Sequence, residues 1–126
     1  MSILDHVGYT VGDFEKSSAF YDAALAPLGV KRISEMEFPG VKVIGYGAHA
    51  PEFWINTGQA LGGHVHLAFA APTRAAVDAF YYAALAAGGT DNGGPGLRLE
   101  YHENYYAAFV FDPDGHNVEA VCNVPA

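Results

Sequence analysis

The stretch HVGYTVGDFEKSSAFYDAALAPLG (6–29) recurs sixty residues later as HLAFAAPTRAAVDAFYYAALAAGG (66–89). Nine of the twenty-four aligned positions are identical, and each copy begins with a histidine, His6 or His66. A repeat of this length indicates two equivalent structural units that bury equivalent faces. The sequence therefore predicts one domain, 1–126, made of repeat one (1–60) and repeat two (61–126).

Each copy has the pattern of a strand followed by a helix. In both strands the large side chains alternate with small ones, so the face that carries the histidine has room for a ligand. The helices show apolar residues at helical spacing, and Asp13 and Thr73 are the expected N-caps. The remaining segments with strand character, separated by Gly, Pro, Asn and Asp, are 30–37, 41–47, 52–56, 97–102, 105–111 and 117–122.

This element order predicts an α+β fold of two βαβββ repeats. The turn DPDG (112–115) is a clear type I turn signal, and it connects the last two predicted strands. We expect the function to lie where the two repeats meet.

Composition limits the classes of partner. The chain has 126 residues, is 51% hydrophobic and carries a net charge of −8 with six Lys and Arg, so neither nucleic acid nor an anionic membrane is an expected partner. It contains no long apolar run and one cysteine, Cys122, which favours a soluble, cytoplasmic protein. A small-molecule substrate is the expected partner.

The strand after the DPDG turn reads HNVEAV and carries Glu119. If its inner face is equivalent to the two histidine faces, His6, His66 and Glu119 converge as two imidazoles and one carboxylate. This set is typical of a divalent metal site with open coordination positions. Taken singly, each residue is more often a solvated strand side chain than a ligand, and it is their equivalent placement in a repeat that favours the metal site.

Over nearly its whole length the chain resembles the vicinal oxygen chelate superfamily, which includes glyoxalase I, extradiol dioxygenases, fosfomycin-resistance proteins and bleomycin-binding proteins. The segments that carry this resemblance are DHVGYTV (5–11), FYDAALAPLG (20–29), HVHLAF (64–69) and FDPDGHNVEAV (111–121). The resemblance implies that the two βαβββ repeats form an open, curved, mixed sheet around a central cleft. It implies that His6, His66 and Glu119 bind one divalent ion, Fe, Mn, Ni or Zn. It also implies a homodimer, in which the site is built within one chain or across two.

Two activities of the superfamily fit the residues less well than the others. Glyoxalase I has a fourth ligand, a glutamate in the first half, and aligning the halves at an offset of sixty-five places Trp54 opposite Glu119 instead. Fosfomycin-resistance proteins hold a phosphonate with several cations, whereas here only Arg98 lies near the relevant loop.

Further site residues are expected around this ion. By proximity in sequence to the Glu119 hairpin, His102 and Tyr106 are candidate acid–base residues beside Glu119, although strand packing is the more common role of such a tyrosine. The residues expected to line the substrate pocket are Phe53, Trp54, His64 and Tyr105.

Two functions remain open on this sequence. The first is a metal-dependent enzyme, either a glyoxalase-like lyase or an extradiol-type dioxygenase, that acts on a small substrate chelated through adjacent oxygens. The alternative is a metal-free small-molecule binding protein of the bleomycin-resistance type. Retention of all three ligand residues favours the enzyme.

Overall fold

A computed structural model describes residues 3–126 of the chain. The first half consists of Val7–Val11 (β1), Phe14–Leu25 (α1), Lys31–Phe38 (β2), Val41–Gly47 (β3) and Phe53–Thr57 (β4). These strands form a four-stranded sheet in the order β1-β4-β3-β2. The sheet is mixed, because β1 is parallel to β4 and the other neighbours are antiparallel.

The second half repeats this plan with shorter outer strands. It consists of His66–Ala70 (β5), Arg74–Ala86 (α2), Thr90–Asp91 (β6), Gly96–Leu97 (β7), Tyr106–Phe111 (β8) and Asn117–Cys122 (β9). The sheet order is β5-β9-β8-β6, with β7 also paired to β8, and β5 is parallel to β9. Each half therefore starts with a strand at a sheet edge, paired in parallel to the last strand of the same half.

The predicted α+β class is confirmed, and the strands are divided between two mixed sheets, one for each half. The helices α1 and α2 pack against each other. The prediction of a strand over 97–102 is wrong, because only Gly96–Leu97 is extended. Beyond it the chain turns, with hydrogen bonds from the Tyr101 amide to the Arg98 carbonyl and from the Tyr105 amide to the His102 carbonyl.

The helices begin where their capping residues predict. The Asp13 carboxylate accepts a hydrogen bond from the Lys16 amide at 3.1 Å, and the Thr73 hydroxyl accepts one from the Ala76 amide at 3.0 Å. Each side chain thereby satisfies one backbone donor that the first helical turn leaves free. The large residues of β1 and β5 alternate as predicted, with Tyr9 and Val11 buried in the core.

A buried polar network joins the two halves. The Asp112 carboxylate, in the turn between β8 and β9, accepts a hydrogen bond from the Tyr21 hydroxyl of α1 at 2.6 Å, and the Tyr9 hydroxyl of β1 bonds to that of Tyr21. The other Asp112 oxygen accepts the amides of Asp114 and His116, both at 2.9 Å. Burial raises the pKa of both phenols, and the nearby Asp112 charge adds to the effect. The DPDG turn thus fixes the second half to the core of the first.

Over residues 3–126, no helix is both long and apolar enough to cross a membrane.

Candidate metal and substrate site

Glu119 lies at the centre of the second sheet, on β9 between β5 and β8. It is paired in register with Ala68 on β5 and with Phe109 on β8. Directly paired residues project from the same face of a sheet, so Glu119 shares its face with Phe109 and the small Ala68. His66, two residues before Ala68, belongs to the same face.

The Glu119 carboxylate is almost completely buried, with 1% of its side chain exposed, and it is held by two side chains. One oxygen, Oε1, lies 2.7 Å from His66 Nε2, and the other, Oε2, accepts a hydrogen bond from the Tyr105 hydroxyl. The His66 side chain is 54% exposed, so solvent reaches the imidazole and not the carboxylate. Burial and the hydrogen bond to Glu119 raise the pKa of Tyr105 to about 12, which keeps the phenol protonated as a donor.

His6 lies on the other sheet, directly before β1. Its Nδ1 is 2.8 Å from the Asp5 carboxylate, and its side chain is 59% exposed. It lines an open cleft of about 780 Å³ together with Trp54, Met36 and Val43, among others. The imidazole is therefore free to accept a further partner from the cleft.

Within one chain, the three predicted ligands do not form one cluster. Across residues 3–126, no group of three His, Cys, Asp or Glu side chains is placed to hold one ion. The chain brings His66 and Glu119 together and keeps His6 on the separate four-stranded sheet. One nitrogen and one carboxylate oxygen side by side are two of the donors that a divalent ion uses, so the His66 and Glu119 pair fits part of a metal site.

The strand registers identify the residue that is equivalent to Glu119 in the first half. Gly8 pairs with Trp54, and its repeat equivalent Ala68 pairs with Glu119. Trp54 therefore occupies the position of Glu119, as the offset of sixty-five predicts. The glutamate expected for a fourth ligand is absent at that position.

Alternation along the strands places Phe53 and Tyr106 on the helix side of their sheets, away from the candidate site. Phe53 is 3% exposed and packs in the core against Phe69, whereas its neighbour Trp54 lines the cleft. Tyr106 lies on the helix side of β8, where its hydroxyl donates to Asp78 at 2.6 Å. Because successive strand residues face opposite sides, Tyr106 points away from Glu119 and Phe53 points away from the cleft.

The two remaining predicted residues lie at the margins of the site. His102 is exposed, and its Nε2 is 2.7 Å from the Asn123 side-chain oxygen, with its ring 5.4 Å from that of Tyr105. His64 is exposed before β5, and its ring lies 5.9 Å from that of the buried His116. Within residues 3–126, neither His102 nor His64 forms a hydrogen bond with Glu119 or His66.

Phe109 is a site residue that the sequence analysis missed. Its ring centroid lies 6.3 Å from that of His66, and the Arg98 guanidinium lies 5.3 Å from its centroid. The sequence does contain a signal for Phe109. Counting residues outward from the DPDG turn along both strands pairs Phe109 with Glu119. Arg98 lies beyond the end of β7, where no periodicity predicts the direction of a side chain.

Comparison with known proteins identifies the family. Residues 3–120 match the Glyoxalase/Bleomycin resistance protein/Dioxygenase superfamily, and the chain belongs to this superfamily. Comparison with curated proteins found no match.

Several solved structures share the fold. A glyoxalase/bleomycin resistance protein from Albidiferax ferrireducens is 30% identical, with a TM-score of 0.72 over 96% of this chain and 99% of that one. A glyoxalase I mutant from Zea mays is 23% identical, with a TM-score of 0.68 over 94% of this chain and 43% of that one. A mutant fosfomycin resistance protein from Listeria monocytogenes, complexed with Mn(II) and a dihydroxypropylphosphonic acid, is 20% identical, with a TM-score of 0.68 over 96% of this chain and 90% of that one.

Proposed function

We propose that the protein is a metal-dependent enzyme that binds a small substrate through two neighbouring oxygens. In this proposal one divalent ion, Fe, Mn, Ni or Zn, is held by His66 and Glu119 of one chain and by His6 of a second copy. The observation that carries the proposal is the 2.7 Å contact between His66 Nε2 and the buried Glu119 carboxylate. The exposed imidazole is accessible to an ion from solvent, and the buried carboxylate directly beside it supplies the second donor.

The sheet edges support a homodimer. Within the described chain, β1 and β5 each pair on one side only, and both are edge strands. Neither VGYTV nor HLAFA contains a charged residue or a proline, which are the features that protect an exposed edge. A two-fold dimer that sets β1 of one copy beside β5 of the other covers both edges and brings His6 to the pair.

The surrounding residues define what the site can do. When bound, the ion polarises the substrate oxygens and stabilises negative charge on them. The Tyr105 hydroxyl holds Oε2 of Glu119 and so leaves Oε1 directed at His66. Trp54 and Met36 from the first half, with Phe109 from the second, supply apolar walls for a small, largely uncharged body. Both a lyase and a ring-cleaving dioxygenase are compatible with this arrangement.

One observation favours the alternative of a metal-free binding protein. Both Glu119 oxygens already have hydrogen-bond partners in the chain, His66 and Tyr105, so the buried carboxylate is satisfied without an ion. In that case the cleft beside Trp54 binds an aromatic or drug-like molecule by itself.

Metal analysis and ligand titration distinguish the two functions. Protein purified without chelator is expected to contain about one divalent ion per chain. Trp54 is the only tryptophan and lines the cleft, so its emission reports on binding there. Catechol added to Mn(II)-loaded protein is expected to change this emission, and His66→Ala is expected to abolish the metal-dependent part. An identical response from both proteins would favour metal-free binding.

A further inference from the structure

Arg98 lies on the same sheet face as the His66 and Glu119 pair. Its amide donates to the Tyr105 carbonyl at 2.7 Å, which continues the pairing of Leu97 with Tyr106 by one residue. Alternation therefore places Arg98 and Tyr105 on the face that carries Phe109 and Glu119. The cation belongs to the candidate site and not to the helix side of the sheet.

The Arg98 guanidinium is held in place by neutral groups. It lies over the Phe109 ring, 5.3 Å from the centroid, and Nη2 donates to the Gly94 carbonyl at 2.7 Å. A Cβ added at Gly93 or Gly96 would come within 3.3 or 3.2 Å of a guanidinium nitrogen. Gly93, in the loop before β7, and Gly96, at the start of β7, thus leave room for the guanidinium because neither has a side chain.

Arg98 has no ion pair within residues 3–126, which it shares with Lys16, Lys31 and Arg74 and which separates it from Arg32 and Lys42. Arg32 forms ion pairs with Asp22 and Glu35, and Lys42 forms one with Glu15. Among the ion pairs of residues 3–126, none involves Arg98, although its side chain is half-buried and fixed. A guanidinium has five N–H donors, and a carboxylate is the group that matches two of them at once.

We propose that Arg98 binds a carboxylate group of the substrate. The Phe109 ring is close to both Arg98 and His66. The Arg98 guanidinium lies 5.3 Å from its centroid, and the centroid of the His66 ring lies 6.3 Å from it. The part of the inference that places the chelating oxygens at His66 and Glu119 rests on the proposed function. The substrate class is then a small monocarboxylate with two neighbouring oxygens, since one cation suits a single negative charge.

The test uses benzoate and its uncharged analogue benzamide with metal-free protein in EDTA. Affinities are measured from the backbone amide shifts around Phe109 at constant ionic strength, in wild type and Arg98→Gln. We expect benzoate to bind Arg98→Gln at least about tenfold more weakly than wild type, and benzamide to bind both proteins equally. Lys31→Gln, which removes the same charge from an exposed position on the other sheet, is the control and is expected to bind benzoate like wild type.

Equal benzoate affinity in wild type and Arg98→Gln, or no benzoate binding at all, would overturn the inference. A loss of the same size in Lys31→Gln would also overturn it, because net charge alone would then explain the effect. No metal enters this experiment. If the separate metal analysis finds no bound ion, that result counts against the proposed function alone. If the protein binds metal but does not bind benzoate, that result counts against the carboxylate site alone.

Discussion

The two halves of the chain carry different residues at one equivalent position. Opposite Gly8 the first half has Trp54, and opposite the equivalent Ala68 the second half has Glu119. The first half therefore provides a cleft wall beside His6, and the second provides a carboxylate beside His66. The repeat has kept the strands, helices and histidines of both units while their contributions to the site have diverged. The proposed metal site therefore draws on both units.

The largest expected effect is a loss of Mn(II) affinity that occurs when the second half is changed and not when the first half is changed. Glu119→Gln keeps the shape of the side chain and removes its charge, so we expect the affinity for Mn(II) to fall by more than about 100-fold, since outer-shell changes alone cost 10–100-fold. Trp54→Phe at the equivalent position is expected to leave this affinity within a few-fold of wild type. Calorimetric titration measures both. Equal losses in the two variants would show that the halves do not differ as proposed.

The network that joins the halves is the second target. Asp112→Asn weakens the hydrogen bonds from Tyr21 and from two backbone amides to a buried carboxylate, and we expect the free energy of unfolding to fall by about 2–3 kcal/mol. Asp114→Asn, whose contact with the Gly12 amide is 3.4 Å long, is the control and is expected to change stability by less than about 0.5 kcal/mol. Urea denaturation measures both. Similar small losses in the two variants would remove Asp112 as the link between the halves.

A smaller effect is expected at the residue that orients Glu119. Tyr105→Phe removes the hydroxyl that bonds to Oε2, and we expect the affinity for Mn(II) to fall by about tenfold, as for other groups that orient a metal ligand. The adjacent Tyr106→Phe is the matched control, because its hydroxyl bonds to Asp78 on the opposite face. An equal loss of affinity in both variants would contradict the assignment.

Alkaline pH tests the buried phenols between the halves. Tyr9 and Tyr21 have raised pKa values in the folded chain, while an unfolded tyrosine titrates near pH 10. Their contribution is therefore complete below pH 10 and is lost as the pH rises from there toward the folded-state values. Each phenol lowers the free energy of unfolding by about 1.4 kcal/mol between pH 9 and pH 11, so we expect a fall of roughly 2–3 kcal/mol from the two together, and Tyr21→Phe to reduce that decline. A flat profile in wild type would contradict the burial of these phenols.

The sequence predicted what depends on local patterns. The alternation along β1 and β5 and the helix caps are confirmed because each depends on spacing within one segment. The equivalence of Trp54 and Glu119 is confirmed because it depends only on a constant offset between two aligned segments. Phe53 and Tyr106 lie on the helix side of their sheets, which proximity in sequence could not predict because it does not give the sheet face. The role of Asp112 could not be predicted, since Tyr9 and Tyr21 reach it only through packing between the halves. The separation of His6 from Glu119 likewise depends on how whole sheets are arranged.

The central claim, that one site draws on two chains, is tested most directly by mixing two defective variants. As pure dimers, His6→Ala and Glu119→Gln are each expected to bind Mn(II) more than about 100-fold more weakly than wild type. In a mixed dimer purified with two tags, the intact His6 of the second variant faces the intact His66 and Glu119 of the first, so one site is restored. The account predicts about one Mn(II) per mixed dimer with near wild-type affinity. A stable mixed dimer that binds no ion would contradict it.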